Sequence, residues 1–183
     1  MITKSIKIKL MEYFFINPAV KLRVRQIERE VKIPLPSAIR YAKELEKEGI
    51  LRHEIIAGVK LYSADRSSKI YLFEKTYFNI KQLHSSGLID YLIEYYSNPT
   101  IILFGSYSRG EDTEDSDIDI FVETVLKEKI DLSKFEKRLK KDIQLFVLKN
   151  LKEISNNHLA NNILNGITLN GFIEVLNERN MLE

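Results

Sequence analysis

One stretch in the second half of this chain constrains the fold more than any other, because it alternates apolar runs with a glycine turn. The run Thr-Ile-Ile-Leu-Phe at residues 100–104 is typical of a buried strand, and Gly105-Ser106 follows it directly. A second extended run contains Asp117 and Asp119. Side chains alternate faces along a strand, so these two carboxylates are predicted to project from the same side, about 7 Å apart. The stretch therefore predicts strand, turn and strand, with a pair of acids on one face.

The acidic pair and the glycine turn together indicate a site for a metal ion and a phosphate group. Two ionised carboxylates at this spacing repel each other, whereas a divalent cation bound by hard oxygen ligands holds both ionised. A third strand-like run begins at Asp142, which a neighbouring strand could bring beside the pair. Gly105 lets the backbone approach an anion, and Ser106 offers its hydroxyl and its amide. The residues therefore predict magnesium beside a triphosphate.

The loop between the two motifs carries charged residues in a less specific pattern. Arg109 has two interpretations, contact with a phosphate or an ion pair with an acid of the same loop. The loop acids Asp112, Glu114 and Asp115 are interpreted as solvated. A competing interpretation of Asp117-x-Asp, as turn residues that cap a helix, is disfavoured by the apolar run that follows it.

These motifs resemble those of the minimal nucleotidyltransferases of the polymerase-β-like superfamily, whose pattern is a strand, Gly-Ser, a short helix and Asp-x-Asp. Here Gly105-Ser106 is followed, after ten residues, by Asp117-Ile118-Asp119. The sequence GSYSRG at residues 105–110 looks like the G-S-x-A-R-G form of small prokaryotic members, with Ser108 in place of the usual alanine. The resemblance spans about residues 101–171.

The resemblance implies a fold, an activity and a set of site residues. It implies a small mixed β-sheet flanked by helices, with two Mg²⁺ ions held by Asp117, Asp119 and Asp142. Gly105, Ser106 and Arg109 would bind the triphosphate of the nucleotide, for which ATP is expected. The implied reaction transfers a nucleoside monophosphate to a hydroxyl acceptor and releases pyrophosphate. Small members often modify a protein partner as antitoxins, so a protein acceptor is an expectation here.

The first 66 residues differ in charge from the rest, with a net charge of +6 against −4 for residues 67–183. Helical spacing predicts one helix over residues 6–16, a second over 23–30 and a third that starts at Ser37 and ends at Gly49. Two β-prone runs after the third helix predict a hairpin that turns at Ala57-Gly58. Three helices and a basic hairpin resemble the winged helix-turn-helix domains of prokaryotic regulators.

The winged-helix resemblance implies a DNA contact. Arg40 and Lys43 would face outward from the third helix into the major groove, and Lys60 on the hairpin would touch phosphate. The alternative is that these side chains only solvate the surface and that the segment serves dimerisation or protein docking. If the domain reads a twofold-symmetric site, a homodimer is expected.

A helical connector is predicted between the two parts. Ile70, Phe73, Tyr77 and Ile80 recur at helical spacing, and this apolar stripe is expected to pack against either domain or against a second subunit. The expected fold class is thus α+β, an N-terminal winged helix-turn-helix followed by a nucleotidyltransferase-type sheet. The expected domains are residues 1–66, a connector at 67–98 and a transferase domain at 99–183.

Composition excludes several classes and leaves two functions open. The chain has no cysteine, which excludes disulfides, thiolate metal sites and a cysteine nucleophile. Its start does not resemble a signal peptide and no long apolar run occurs, so a cytoplasmic protein is expected. The chain is either a transferase with a DNA-binding regulatory domain or a non-catalytic DNA-binding regulator that uses the fold as a nucleotide sensor or dimerisation module. The intact acidic trio favours the enzyme, because a pure binder has no physical need for two ions at the α-phosphate.

Overall fold

The computed structural model describes residues 5–126 and 130–174, which form two compact units. The first unit contains residues up to Lys81 together with the segment Arg109–Ser116. The second contains Gln82–Ser108 and the chain from Asp117 onward. The predicted domain boundaries at residues 66 and 98 stay predictions, and residues 175–183 of the predicted transferase domain lie outside the described residues.

The first unit begins with three helices and a β-hairpin, as predicted. Their bounds are α1 Ile6–Ile16, α2 Val24–Val31, α3 Leu35–Lys47, β1 Leu51–Ile56 and β2 Val59–Ala64. An isolated bridge adds a third extended segment to the hairpin, since Leu22 and Tyr62 exchange backbone hydrogen bonds of 2.9 and 2.8 Å. The order and pairing of these elements are compatible with a winged helix-turn-helix domain, and that assignment stays a prediction.

The third helix begins two residues earlier than the sequence predicted. Pro34 is its N-cap and Pro36 lies within its first turn, so Ser37 is inside the helix and does not cap it. Proline is tolerated there because the first-turn amides have no intrahelical acceptor to lose. The predicted start of this helix at Ser37 is therefore wrong. The core of the unit includes Leu10, Phe14 and Ile27, which are fully buried.

Two helices follow the hairpin, α4 at Lys69–Ser86 and α5 at Leu88–Tyr95. The apolar stripe predicted on α4 is largely exposed, with Ile70 at 54%, Phe73 at 71% and Tyr77 at 61% of their full accessible area. The opposite face carries the buried residues Tyr71, Lys75 and Asn79. Among the described residues of the first unit, these three side chains are thus largely uncovered, and packing of the stripe against the second domain or a second subunit stays a prediction.

The second unit is built on a four-stranded mixed sheet with the strand order β5-β4-β3-β6. Its elements are β3 Thr100–Phe104, α6 Gly105–Ser108, β4 Ile118–Glu123, α7 Ser133–Leu139, β5 Ile143–Leu148, a 3₁₀ turn Leu151–Glu153, α8 Asn157–Leu164 and β6 Ile167–Asn170. Strand β3 is antiparallel to β4 and β6, whereas β4 and β5 are parallel. The predicted α+β class is confirmed.

Strands β3 and β4 are the buried centre of this sheet. Ile101, Leu103, Ile118 and Ile120 are fully buried, while Ile102, Phe104 and Phe121 pack with Ile163 of α8. The continuous apolar runs in the sequence arise because both faces of these strands are covered. Among the helices of the described residues, none combines the length and the apolar character needed to cross a bilayer.

Candidate active site

The turn from β3 into α6 and the beginning of β4 lie side by side in the sheet. Phe104 and Asp119 are register partners, so Gly105 follows directly beside the aspartate. Gly105 has a φ of +73°, and a Cβ placed on it would lie 3.0 Å from the Asp119 Cγ. The Asp119 carboxylate therefore covers the Gly105 Cα, in a space that only glycine leaves open and with a backbone conformation that glycine adopts without strain.

Asp117 lies immediately before β4 and accepts a hydrogen bond from the Gln144 side chain. Gln144 is the register partner of Asp119 on the parallel strand β5. Its contact with Asp117 therefore joins residues that belong to one face of the sheet. Gln144 was not among the predicted site residues, although its position two residues after Asp142 predicts the same face for both side chains.

Asp142 lies at the end of β5 that adjoins Asp117. The Ile118 amide donates a 2.9 Å hydrogen bond to the Asp142 carbonyl, which continues the parallel ladder by one step. Adjacent strands are about 4.8 Å apart, so Asp142 and Asp117 begin neighbouring strands at the same level. Within the described part of the chain, no three Asp, Glu or His side chains are grouped closely enough to hold one metal ion. The acidic trio as a metal site stays a prediction.

The oxygens at this end of the sheet fit the chemistry of Mg²⁺. Asp117 and Asp119 are partly exposed, while Ile118 between them is fully buried. Hard carboxylate oxygens are the ligands that Mg²⁺ takes, in small numbers and with water filling the remaining positions. A pair of accessible carboxylates therefore suits the ion without a complete protein cage.

The short helix α6 contains the serine residues of the motif. Ser106 is partly exposed, and Ser108 is buried and donates a 2.8 Å hydrogen bond to the Gly105 carbonyl. That bond links the glycine at the beginning of the turn to the residue at its end. Ser108, at the position where the motif that this chain resembles has alanine, therefore adds a hydrogen bond within the turn.

Arg109 forms an ion pair with Glu111, with 2.7 Å between Nε and a carboxylate oxygen, and both side chains are about half exposed. The structure thus shows the alternative in which Arg109 pairs with an acid of its own loop, and phosphate binding by Arg109 stays a prediction. The interpretation of Asp112 as a solvated acid is wrong, because this residue is 3% exposed and contacts Lys75 and Asn79.

The three basic residues predicted to contact DNA differ in their surroundings. Lys43 is exposed on α3. Arg40 is also exposed, and its guanidinium lies over the Tyr41 ring at 4.3 Å. Lys60 on the hairpin lies 3.2 Å from a carboxylate oxygen of Glu46. Although burial opposes the shift, hydrogen bonds from His53 and Lys60 lower the pKa of Glu46, which keeps this carboxylate charged beside the lysine.

Comparison with known families agrees with this geometry. Residues 85–167 match the nucleotidyltransferase domain family, a range that includes the Gly-Ser turn, the Asp-x-Asp strand and the parallel strand β5. This part of the chain is therefore similar to nucleotidyltransferase domains, a class of domain that transfers a nucleoside monophosphate from a nucleoside triphosphate. No curated protein and no solved structure matches the chain.

Proposed function

We propose that this protein is a Mg²⁺-dependent nucleotidyltransferase that transfers a nucleoside monophosphate, with ATP as donor, to a hydroxyl group of a protein acceptor. The observation that supports the proposal best is the Asp119 carboxylate lying over the Gly105 Cα, in a domain that matches the nucleotidyltransferase family. This contact puts a carboxylate, the kind of ligand that Mg²⁺ takes, beside the turn where a phosphate chain could approach the backbone.

Each site residue has a role in the proposed reaction. Asp117 and Asp119 would hold two Mg²⁺ ions, with Asp142 contributing to the second. When bound, these ions would neutralise the triphosphate and lower the pKa of the acceptor hydroxyl. The Gly105 backbone and Ser106 bind the β and γ phosphates, and Arg109 contributes positive charge.

The proposed reaction forms one bond to the α-phosphorus and breaks another. The acceptor oxygen forms a bond to the α-phosphorus as the bond from the α-phosphorus to the bridging oxygen of the β-phosphate breaks. Pyrophosphate leaves with the electron pair of that bond. Asp142 would complete the shell of the second ion or accept the hydroxyl proton, and its exposure and its position beside Asp117 on the neighbouring strand support either role.

Labelled nucleotides test the proposed transfer. The protein is incubated with each α-labelled nucleoside triphosphate and MgCl₂, alone and with a cell extract, and labelled protein is identified by mass spectrometry. We expect Asp117→Asn and Asp119→Asn to abolish labelling while circular dichroism stays unchanged. Asp115→Asn, which removes an exposed carboxylate from the same segment, is the matched control and should label normally.

Retained Mg²⁺-dependent labelling in both asparagine variants would contradict the assignment. A different result would favour the non-catalytic regulator: nucleotide binding without pyrophosphate release, accompanied by a change in DNA affinity. The same reactions, assayed for pyrophosphate, distinguish the two functions.

We further propose that the first unit binds DNA through α3 and the hairpin. The supporting observations are the three-helix-and-hairpin order, the net charge of +6 in the first 66 residues and the exposed positions of Arg40 and Lys43. Lys60 is proposed to break its ion pair with Glu46 and to contact a DNA phosphate in its place. Transfer and DNA binding in one chain would suit an enzyme that regulates its own gene.

The proposed homodimer uses the exposed stripe of α4. Ile70, Phe73 and Tyr77 form a continuous apolar face, since they are three and four residues apart on one helix. Glu74 and Lys81 flank it with opposite charges two turns apart, about 10 Å along the axis. In two antiparallel copies related by a twofold axis, each Glu74 can face the Lys81 of the other copy. Because the charges of this face match those of its own twofold-related copy, we propose that a second copy of the chain covers the stripe.

Sedimentation analysis tests the dimer. Phe73→Glu should yield monomers, whereas Ile55→Glu, at an equally exposed position on the hairpin, should leave the dimer intact. Glu74→Lys should weaken the dimer by like-charge contact, and the double variant Glu74→Lys with Lys81→Glu should restore it. A monomeric wild-type protein at micromolar concentration, or a Glu74→Lys variant that dimerises normally, would contradict this interface.

A further inference from the structure

A buried polar cluster holds the loop between the Gly-Ser and Asp-x-Asp motifs. Lys75 of α4 is 1% exposed, and its Nζ lies 3.2 Å from an Asp112 carboxylate oxygen and 2.5 Å from the Asp112 carbonyl. The Asn79 side-chain amide donates a 2.8 Å hydrogen bond to the same carboxylate. One lysine thus binds both the side chain and the backbone of a single loop residue.

The rest of the loop is also held within the first unit. Gly110 lies against the backbone of α4, where an added Cβ would lie 2.5 Å from the Leu72 carbonyl oxygen. Arg66 donates a 3.3 Å hydrogen bond to the Glu111 carbonyl, and the Ala19 amide donates one of 3.3 Å to the Glu114 carboxylate. Contacts therefore occur along most of the segment Arg109–Ser116, with the fully desolvated ion pair at its centre.

The position of this segment in the chain gives the cluster a consequence for the nucleotide site. The segment begins directly after α6, which carries Gly105 and Ser106, and ends at the residue before Asp117. The sheet orders β3 and β4 themselves, but Ser106 and Asp117 lie just outside these strands, and a loop bound at its middle has fewer conformations in which to displace them than a free one. Binding sites gain affinity when their parts are ordered before the ligand arrives.

We propose that Lys75 is a positioning residue of the nucleotide site: by binding Asp112 it orders the loop that joins the Gly-Ser turn to Asp117. The proposal rests on the proposed function, because it concerns the same triphosphate site. Lys75 itself touches no substrate in this scheme. This role explains why α4 buries a lysine where an apolar residue would be usual, since Lys75 binds the loop at Asp112.

Equilibrium binding of each of the four labelled nucleoside triphosphates, in MgCl₂, tests the proposal on the full chain. Lys75→Met removes the charge and keeps much of the buried stem. Asn79→Ala removes a milder contact to the same carboxylate and serves if Lys75→Met folds poorly. We expect at least tenfold weaker binding for Lys75→Met and a smaller loss for Asn79→Ala. Lys21→Met, which removes an exposed 2.6 Å ion pair with Glu54 in the same unit, should bind like the wild type.

A triple variant separates positioning from stability. Lys75→Met, Asn79→Leu and Asp112→Leu together replace the cluster with apolar groups, and such replacement of a buried ion pair commonly preserves or increases stability. We expect thermal stability to return while nucleotide binding stays weak, because the bonds to the loop backbone and carboxylate are gone. Recovery of wild-type binding together with stability would overturn the positioning role.

Amide hydrogen exchange provides a readout that needs no nucleotide. Exchange of the amides of residues 110–116 should become faster in Lys75→Met than in the wild type, and unchanged exchange there would overturn the proposal. Wild-type protein that binds no nucleoside triphosphate would refute the proposed function and the positioning role with it. If the wild type, Lys75→Met and Asn79→Ala all bind nucleoside triphosphate equally well, the positioning role alone is refuted.

Discussion

Gly105 shows how one residue can serve the backbone and the site together. Its φ of +73° requires a conformation that other residues adopt at a cost of about 1–2 kcal/mol, and its missing Cβ leaves the space beside Asp119. Gly87 has a similar φ of +80°, yet an added Cβ would meet no atom within 4 Å. Alanine at Gly87 would therefore introduce backbone strain alone, whereas alanine at Gly105 would introduce the same strain and also collide with the Asp119 carboxylate.

Replacement of these two glycines gives the first prediction. Both Gly105→Ala and Gly87→Ala should lower the free energy of unfolding by about 1 kcal/mol, from strain alone. Only Gly105→Ala should also reduce nucleotide transfer, by about a hundredfold, because it displaces the Asp119 carboxylate. Urea unfolding and label incorporation measure the two effects. Equal activity in the two variants would show that the Asp119 position does not matter for transfer.

Glu123, at the other end of β4 from Asp119, predicts a pH-dependent stability. Burial, followed by repulsion from Glu174, raises the pKa of Glu123, and one of its oxygens is buried with no hydrogen-bond partner among the described residues. A raised pKa in the folded state means that ionisation destabilises the fold. The penalty is absent below the unfolded pKa of about 4.3 and develops as the pH rises through the folded value.

Glu123→Gln should accordingly stabilise the protein at pH 7.5 by about half a kcal/mol or less, because the side chain is partly exposed and solvent screens the repulsion. The gain should be much smaller at pH 4, because Glu123 is then mostly protonated and, like glutamine, uncharged. Urea unfolding at the two pH values measures it. Glu94→Gln, on an exposed face of α5, is the control and should show no such difference; a gain that persisted at pH 4 would count against the linkage.

Among the elements, α4 was the hardest to predict from periodicity. Its apolar residues recur at helical spacing, yet Ile70, Phe73 and Tyr77 are exposed in the single chain. The buried face instead carries Lys75 and Asn79, which are satisfied by a loop more than thirty residues further along the chain. No local pattern contains that partner. By contrast, α1 and β3 were predicted with the correct bounds, because proline and glycine mark their ends in the sequence.

Helix α8 provides a prediction at the level of an element. Its N-cap Asn156 accepts hydrogen bonds of 2.9 and 3.3 Å from the amides of His158 and Leu159, and the helix packs Ile163 into the core of the sheet. Asn156→Ala should therefore lower the free energy of unfolding by about 1 kcal/mol. Asn162→Ala, at an exposed position of the same helix, should leave stability unchanged or raise it slightly. Equal losses in thermal unfolding would argue against the cap.

On the scale of the whole molecule, the uneven charge predicts how DNA affinity depends on salt. The affinity should fall linearly with the logarithm of the salt concentration, and Lys43→Ala should reduce that slope by about one unit. Lys60→Ala should change the slope less, because Lys60 must break its ion pair with Glu46 before it can bind a phosphate. Fluorescence anisotropy between 50 and 200 mM KCl, with Lys137→Ala of the second unit as control, measures this. Similar losses for Lys43→Ala and Lys137→Ala would indicate a non-specific charge effect.

The sequence by itself determined the α+β class, the three helices and hairpin of the first unit and the glycine turn that ends β3 at Gly105, because glycine, proline and alternating apolar residues act through neighbours along the chain. Only the tertiary structure decided that β5 lies parallel to β4, so that Asp142 adjoins Asp117, and that Asp112 is buried on α4. Those outcomes depend on which distant segments meet. Spacing along the chain does not encode them, since a buried ion pair and a solvated acid have the same local sequence pattern.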